Sequence, residues 1–311
     1  MQLQKVYKKS MKLMGNQFEI SVVADKEAWA FDKIDKGVAE IQRIERLLTT
    51  YKEDSETNAI NRMAGIAPVK VSTETYQLVE RSLRISQVTQ GAFDITYGSV
   101  DKRLWNFDTT MKALPDKELA KQMVRLINYR NVILNPEEQT VFLKEAGMRI
   151  GFGGIGKGYA AEMARRVMIA EGAESGIVNA SGDLTTWGLQ PDGSQWTIGI
   201  AHPDVSNTVF SYMQISGLAV ATSGNYEKYV MINGKRYSHT INPRTGLPVS
   251  GIKSVTIIST NAEIADAMAT PVTIMGVVAG LDMVNQIKDI EAIIIDDDNQ
   301  VYTSNNIHIK K

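Results

Sequence analysis

The sequence predicts an α+β fold made mostly of antiparallel sheets with helices packed on them. In the second half of the chain, short strand-like segments follow one another with only turn residues between them, which is typical of hairpins. Helical segments are grouped and do not alternate regularly with strands. No repeat, low-complexity tract or linker interrupts residues 1–311. We therefore expect a single domain over 1–311, built as one body or as two intimately packed lobes with the active site between them.

Helices dominate the first half of the chain. Residues 17–24 alternate in character and predict a strand, and Asp25 is expected to cap the helix that follows. A second helix is predicted over 73–89, started by Ser72 or Thr73 and stopped at Gly91. The other elements expected up to residue 171 are a helix after Pro115-Asp116, a hairpin of 131–135 with 140–144, a strand over 148–152 and a helix over 157–171.

Strands dominate from residue 176 onward, apart from two helices near the C-terminus. The last predicted hairpin turns at Asp296-Asp-Asp-Asn299, which resembles a calcium loop but lacks the glycine and the distal glutamate of one. Asp and Asn are favoured turn residues, so we expect a turn there and not a metal site. The predicted strands are 176–180, 195–201, 209–216, 218–222, 227–232, 236–241 and 253–259, and the helices are 262–275 and 278–287.

Composition and charge exclude several classes of protein. The formal net charge is −1 with no long basic run, so no nucleic-acid partner is expected. No apolar run reaches the roughly 18 residues of a transmembrane segment. With no cysteine and three scattered histidines, any bound metal should be held by oxygen. The N-terminus has no apolar signal region, so we expect a cytoplasmic protein, or a membrane-anchored one on the extracytoplasmic side of the cell envelope if an export signal was removed.

The most distinctive stretch is the glycine loop, Gly151-Phe-Gly-Gly-Ile-Gly-Lys-Gly158, which runs into a helical pattern. Unpaired N–H groups at a helix N-terminus and the charge of Lys157 suit an anion such as phosphate. Gly151, Gly153 and Gly156 fit the dinucleotide spacing, but the acidic residue of that motif is missing. A Walker loop also fits in part, with Gly158 in place of its Ser or Thr. On the loop alone, a tight strand-to-helix turn without a ligand is an equal alternative.

Four later loops concentrate polar residues of functional type. In the last of them, Asp266 and Thr270 stand four apart on a predicted helix, so that both oxygens lie on one face. Several of these residues also have a plain structural explanation: Asp266 and Thr270 satisfy each other or nearby backbone, His239 is a strand histidine, and Arg244 is a surface cation. Together, however, the loops supply what a diphosphate nucleotide and a hard metal ion need. The four loops are 179–183, 221–226, 237–246 and 261–270.

On these motifs the chain resembles the ApbE family of flavin transferases, the FAD:protein FMN transferases. The matches occur in the family's order and cover about residues 14–276, nearly the whole chain. The resemblance implies an ApbE-like (T-fold-like) architecture. It also implies an Mg²⁺-dependent transferase that moves FMN from FAD onto a threonine hydroxyl of a target flavoprotein and releases AMP. The matching segments are Met14-Gly15, 51–61, 91–96, the glycine loop with Lys157-Gly-Tyr159, 179–183, 221–224, 239–246 and 265–270.

The same resemblance implies which residues hold the metal and the nucleotide. Asp266, the Thr270 hydroxyl and the backbone carbonyl of Gly154 would bind Mg²⁺, which prefers a few protein oxygens together with phosphate and water. The residues expected to contact FAD are Met14, Tyr51, Ala92, Phe93, Asp94, Lys157, Thr222, Ser223, Thr240 and Arg244.

Catalytic roles are expected for three of the polar residues. Lys157 would offset charge on the transferring phosphoryl group. His239 is our candidate for accepting the threonine proton, because an imidazole has an unperturbed pKa of about 6.5. Asp183 is the alternative acceptor.

Two other functions would use the same site. With water in place of threonine, the enzyme would be an FAD pyrophosphatase that yields FMN and AMP. With catalysis lost, the chain would be a non-catalytic flavin-binding protein. For transfer, the expected partners are FAD and an acceptor flavoprotein, such as a redox-pump subunit or a reductase.

Three positions depart from the family's pattern. Gly151 stands where the family usually has Asp, Asn242 replaces the Asp before the proline, and Ser181 replaces a glycine of Gly-Gly-Asp. Asp266, Thr270 and the lysine of the loop are retained. We therefore expect altered details of nucleotide contact and little change in turnover.

Overall fold

The computed structural model describes residues 4–101, 111–201, 208–224 and 229–307, and within them it contains seven α-helices and fifteen strands. The helices are α1 (Glu27–Leu48), α2 (Glu56–Arg62), α3 (Thr73–Val88), α4 (Lys117–Met123), α5 (Gly156–Ala170), α6 (Ala262–Met275) and α7 (Val277–Asn285). The strands are β1 (Lys5–Leu13), β2 (Asn16–Ala24), β3 (Val69–Lys70), β4 (Val132–Asn135), β5 (Thr140–Leu143), β6 (Gly176–Ala180), β7 (Asp183–Trp187), β8 (Trp196–Ala201), β9 (Val209–Ile215), β10 (Ala219–Gly224), β11 (Tyr229–Ile232), β12 (Lys235–Ser238), β13 (Ile252–Ser259), β14 (Ile290–Asp296) and β15 (Val301–Thr303).

Eight strands form one central sheet in the order β1-β2-β6-β7-β10-β13-β14-β15. Every neighbouring pair in this sheet is antiparallel, which confirms the predicted α+β class. Because the described strands include no parallel pair, the dinucleotide-binding interpretation of the glycine loop is excluded. Three smaller sheets have the orders β3-β5-β4, β8-β9 and β11-β12.

Different elements cover the two faces of the central sheet, since alternate residues of a strand point to opposite sides. One face packs on α1, α5 and α6, where Ile34 and Ala164 are fully buried. On the other face, Ile198 of the β8–β9 hairpin shares a core with Val220 and Ile258 of the sheet. The sheet thus holds α5 and α6 side by side on one of its faces.

A third, smaller core fixes the loop that carries His239. It joins Met123 of α4, Val230 of β11 and Ile241. The Ile241 amide also donates a hydrogen bond of 3.1 Å to the hydroxyl of Tyr97. The chain on the C-terminal side of His239 is therefore anchored to the first half of the molecule.

Several expected elements are confirmed. The helix predicted over 73–89 is α3, begun by Ser72, whose hydroxyl accepts the Thr75 amide. The hairpin around residue 136 is β4–β5, and the acidic turn joins β14 to β15. In that turn, Asp296 Oδ1 accepts the Asp298 and Gln300 amides, as a turn-forming aspartate does.

The strand predicted over 148–152 is wrong, because this segment joins no ladder. Its backbone is satisfied in another way: the Ile150 amide donates to the Asn61 side chain at 2.7 Å, and the Gly151 amide donates to the Ile95 carbonyl at 3.0 Å. The side chains of Met148 and Ile150 are fully buried, although the segment is not a strand. An apolar run with a β pattern therefore enters the core here as a loop.

Other errors concern element ends. Asp25 does not cap α1: the N-cap is Lys26, and no side chain caps this helix. The strand predicted over 236–241 ends at Ser238, and 227–228 of another predicted strand lie outside the described residues. β1 and β7 were not predicted, since an exposed lysine-rich edge strand and a strand beginning at a turn aspartate show weak patterns. None of the helices in the described ranges combines the length and apolar character needed to cross a bilayer.

Candidate active site

A cavity of about 410 Å³ lies where the glycine loop, the β6–β7 turn, β8, the end of β10 and α6 meet. It brings together eight of the residues selected from the sequence, which come from five separate stretches of chain. These residues are Gly154, Lys157, Asp183, Thr222, Ser223, His239, Asp266 and Thr270.

Lys157, one of the residues that line this cavity, lies between two carboxylates. Its Nζ is 2.8 Å from Asp183 Oδ2 and 3.2 Å from Asp266 Oδ1. Burial alone would lower the pKa of Lys157, but the charges of Asp266 and Asp183 outweigh it and raise the pKa above its usual value. The lysine is therefore a permanent cation held in a fixed place.

Asp266 is also held by the N-terminus of α5. Its Oδ2 accepts the Gly158 amide at 2.9 Å. A Cβ at residue 158 would lie 2.1 Å from the Ala262 carbonyl oxygen and 2.7 Å from Asp266 Cβ. Only glycine fits where α5 touches α6, which explains why the Ser or Thr of a Walker loop is absent and excludes that interpretation.

Asp183 begins β7 after a tight turn. Ser181 and Gly182 have φ of 57° and 99°, and Asn179 Oδ1 accepts the Gly182 amide at 2.8 Å. The family's glycine at position 181 is natural for this backbone, and Ser181 adopts it at a cost of about 1 kcal/mol. Asp183 Oδ1 accepts the Thr222 amide at 3.1 Å.

The ionisation of Asp183 is set by its surroundings. Burial and, to a smaller extent, the charge of Asp266 raise the pKa of Asp183, while Lys157 and the Thr222 amide act in the opposite direction, and the resulting pKa is about 6. Asp183 is thus a carboxylate that can take up a proton near neutral pH.

The three expected metal ligands fit a hard cation. Asp266, Thr270 and Gly154 all line the cavity and offer carboxylate, hydroxyl and carbonyl oxygens. Asp266 already attracts one cation, Lys157, through Oδ1. The described part of the chain has no group of three acidic or histidine side chains that could hold a metal without such neutral oxygens.

Two of the expected FAD contacts border the glycine loop outside the cavity lining. A Cβ at Gly154 would lie 3.5 Å from the ring of Phe93, and one at Gly156 would lie 3.7 Å from Met14 Cε. Two further expected contacts, Ala92 and Thr240, are buried, and in sequence they adjoin Phe93 and His239. The Thr240 amide donates to the Ser238 hydroxyl at 2.9 Å. Of these residues, Phe93 and Met14 therefore lie against the glycine loop.

The remaining expected FAD contacts, Asp94, Arg244 and Tyr51, do not line the cavity. Asp94 Oδ1 accepts the amide and hydroxyl of Thr96 and its Oδ2 accepts the Tyr129 amide, and burial raises its pKa. Arg244 is exposed and donates to the Gln90 carbonyl, which agrees with a surface cation. Tyr51 is 96% exposed and does not line the cavity.

The other departures have simple structural accounts. Asn242 Oδ1 accepts the Arg244 amide at 2.9 Å, the turn bond that an aspartate would make. At Gly151 a Cβ would meet only Thr50 Cγ2, at 3.9 Å. The carboxylate absent from position 151 was therefore not excluded by packing.

Sequence reasoning missed part of the cavity wall. Ile198, Gly199 and Ile200 of β8 line it, and their pattern is that of any buried strand. Asn16 also lines it and donates to the Met14 carbonyl at 2.8 Å. The only signal for Asn16 was its place beside the Met14-Gly15 motif.

Known proteins resemble the chain in both sequence and fold. It is 32% identical over 293 residues to an FAD:protein FMN transferase of Klebsiella pneumoniae (strain 342), covering 94% of this chain and 89% of that protein. It is 31% identical over 271 residues to the FAD:protein FMN transferase of Escherichia coli (strain K12), covering 85% and 77%. The ApbE protein of Thermotoga maritima MSB8 superposes with a TM-score of 0.85 at 29% identity, over 96% of this chain and 97% of that one. For the flavin transferase ApbE of Vibrio cholerae the TM-score is 0.83 at 25% identity, over 97% of both chains.

Fold, cavity and relatives together define an enzyme of the transferase class. The family model that matches is that of the ApbE family, over residues 14–294. The chain belongs to the ApbE family, and the resemblance seen in its motifs is confirmed.

Proposed function

We propose that this enzyme transfers FMN from FAD to a threonine hydroxyl of an acceptor flavoprotein, with Mg²⁺ as cofactor and AMP as second product. The observation that carries the proposal is that Lys157, in the glycine loop, is held between Asp183 and Asp266, in a chain whose curated relatives are FAD:protein FMN transferases. Positive charge fixed beside a diphosphate is the main requirement of phosphoryl transfer. We also propose that residues 1–311 form one ApbE-like domain.

The transfer exchanges one P–O bond for another. The threonine oxygen attacks the FMN phosphorus of FAD, and the bond from that phosphorus to the AMP phosphate breaks, so that AMP leaves. We assign the threonine proton to an imidazole nitrogen of His239, which lines the cavity with Lys157. Asp183 is the alternative, because its pKa of about 6 also suits a proton acceptor.

Within the proposal, the remaining residues bind and orient. Lys157 holds a phosphoryl oxygen, and Thr222 and Ser223 at the end of β10 face the nucleotide. Asp266, Thr270 and the Gly154 carbonyl hold Mg²⁺, which when bound neutralises charge on the diphosphate. FAD also contacts Met14, Tyr51, Ala92, Phe93, Asp94, Thr240 and Arg244 in this proposal.

One incubation tests the proposal against its two rivals. The protein is mixed with FAD, Mg²⁺ and a threonine-bearing acceptor flavoprotein, either a redox-pump subunit or a reductase. Flavin fluorescence that stays on the acceptor after denaturation is the expected result, with AMP in equal amount. Free FMN and AMP without labelled acceptor would instead establish hydrolysis, and unchanged FAD would leave only a flavin-binding protein.

A further inference from the structure

An ion-pair cluster joins α3, α5 and α6 outside the cavity lining. Arg81 of α3 donates two hydrogen bonds to the carboxylate of Glu263 on α6, from Nε at 2.6 Å and from Nη2 at 3.1 Å. Its guanidinium lies 5.7 Å from the ring centroid of Tyr159 on α5. The Tyr159 hydroxyl donates to Glu74 of α3 at 2.6 Å. We call these four residues the Arg81 cluster.

Two members of the Arg81 cluster, Tyr159 and Glu263, lie within one helical turn of a site residue. Tyr159 follows Lys157 by two residues, and Glu263 precedes Asp266 by three. Tyr159 and Glu263 are each 4% exposed, so neither side chain can swing away without opening the packing. A rotation of α5 or α6 that broke the cluster would therefore also change the distance from Lys157 to Asp266.

We propose that Arg81 is a positioning residue, which holds α6 so that Asp266 faces the N-terminus of α5. The flat guanidinium makes two hydrogen bonds to one carboxylate and lies over a ring, and so fixes direction as well as distance. A stabilising role alone explains the arrangement less well, because a partly exposed ion pair adds little stability and apolar residues often replace a buried one without loss. The consequence for metal binding rests on the proposed function; the positioning itself does not.

The amide of Gly158 reports directly on this position. It is the third N–H of α5, and N–H groups in the first turn of a helix have no acceptor within the helix. Its acceptor is Asp266 Oδ2, at 2.9 Å. Hydrogen exchange at this amide therefore measures how firmly Asp266 is held, without FAD, metal or catalysis.

The experiment compares three variants by NMR hydrogen exchange of the whole protein. Arg81→Met removes the guanidinium and its two hydrogen bonds to Glu263. The double variant Arg81→Met/Glu263→Met removes both charges, so that no buried carboxylate is left unpaired. Arg84→Met is the matched control, because Arg84 lies on the same helix in an exposed pair with Glu80 at 3.3 Å. We expect exchange at Gly158 to accelerate by on the order of tenfold or more in the first two variants, with unchanged rates in β13 and in the control.

A second readout links position to function. In the same variants, the Mg²⁺ concentration that half-saturates FMN transfer should rise about fivefold or more, while FAD affinity without metal stays within about twofold. An unchanged Gly158 rate in the double variant would overturn the proposal, as would acceleration shared by every amide. If wild-type protein transfers no FMN, the proposed function fails, and the exchange rates still decide the role of Arg81.

Discussion

Lys157 Nζ lies 3.2 Å from Oδ1 of Asp266, a residue 109 positions later in the chain. With Asp183 on its other side, the lysine and its two partners carry one net negative charge. A diphosphate can enter such a site only with further positive charge. This argues for a metal ion beside Asp266 in the proposed reaction.

Replacing Lys157 with Met should raise the pKa of Asp183 above 6, because in the wild-type protein the lysine charge lowers this pKa against the effect of burial. Carbon-13 NMR of labelled aspartate carboxyls in metal-free protein measures this pKa. An Asp183 that titrates near 4 in the wild-type protein would contradict the burial argument.

The same pKa has a consequence for stability. The pKa of about 6 in the folded protein exceeds the ordinary 3.8, so between these values the folded chain binds more protons than the unfolded chain. The stability contributed by Asp183 should be complete below about pH 4 and lost as the pH rises through about 6. Urea unfolding of wild type and Asp183→Asn across this range checks the sign, since the variant should lack this decline.

Asp266→Ala should abolish Mg²⁺-dependent transfer, because the only charged ligand of the proposed metal set is removed. Asp282→Ala, which removes an exposed carboxylate from α7, is the control and should transfer normally. Titration of the initial rate with Mg²⁺ gives the answer. Transfer by Asp266→Ala at ordinary Mg²⁺ concentrations would refute the ligand assignment.

His239→Ala should keep FAD affinity and slow transfer at least about tenfold, equivalent to about 1.4 kcal/mol in the barrier. The reason is the loss of the proposed proton acceptor from the cavity. Single-turnover rates with pre-bound FAD measure the chemical step. If His239→Ala is as fast as wild type while Asp183→Asn is slow, the proton acceptor is Asp183.

Gly158→Ala should destabilise the protein by about 3 kcal/mol, because the new methyl group would overlap the backbone of α6. Gly153→Ala is the control: a Cβ there has no neighbour within 4 Å. The free energy of unfolding in urea compares the two variants. Equal stability would show that α5 and α6 can separate without cost.

Local patterns predicted local features well. The i, i+4 spacing of Asp266 and Thr270 placed both on α6, where both line the cavity, and α3 was found from its cap and its stop. The alternative that Asp266 serves nearby backbone also holds, since it accepts the Gly158 amide. Spacing along one helix shows which residues share a face, but it does not show which distant segment their side chains will contact.

Features that depend on distant partners could not be predicted. The segment 148–152 has a strand pattern, but its hydrogen bonds go to Asn61 and Ile95. β1 is recognisable only through its pairing with β2, and Arg81 only through Glu263, 182 residues away. The resemblance to the ApbE family supplied the order of the loops, and the fold supplied their distances.

β13 lies between β10 and β14 in the central sheet, and α6 follows it directly. During synthesis, a nascent chain that ends before β13 already contains Lys157 and Asp183, but Asp266 has not yet been added. Long-range pairings of this kind form slowly and late in folding. The proposed site should therefore be complete only after α6 has been synthesised and has docked on α5.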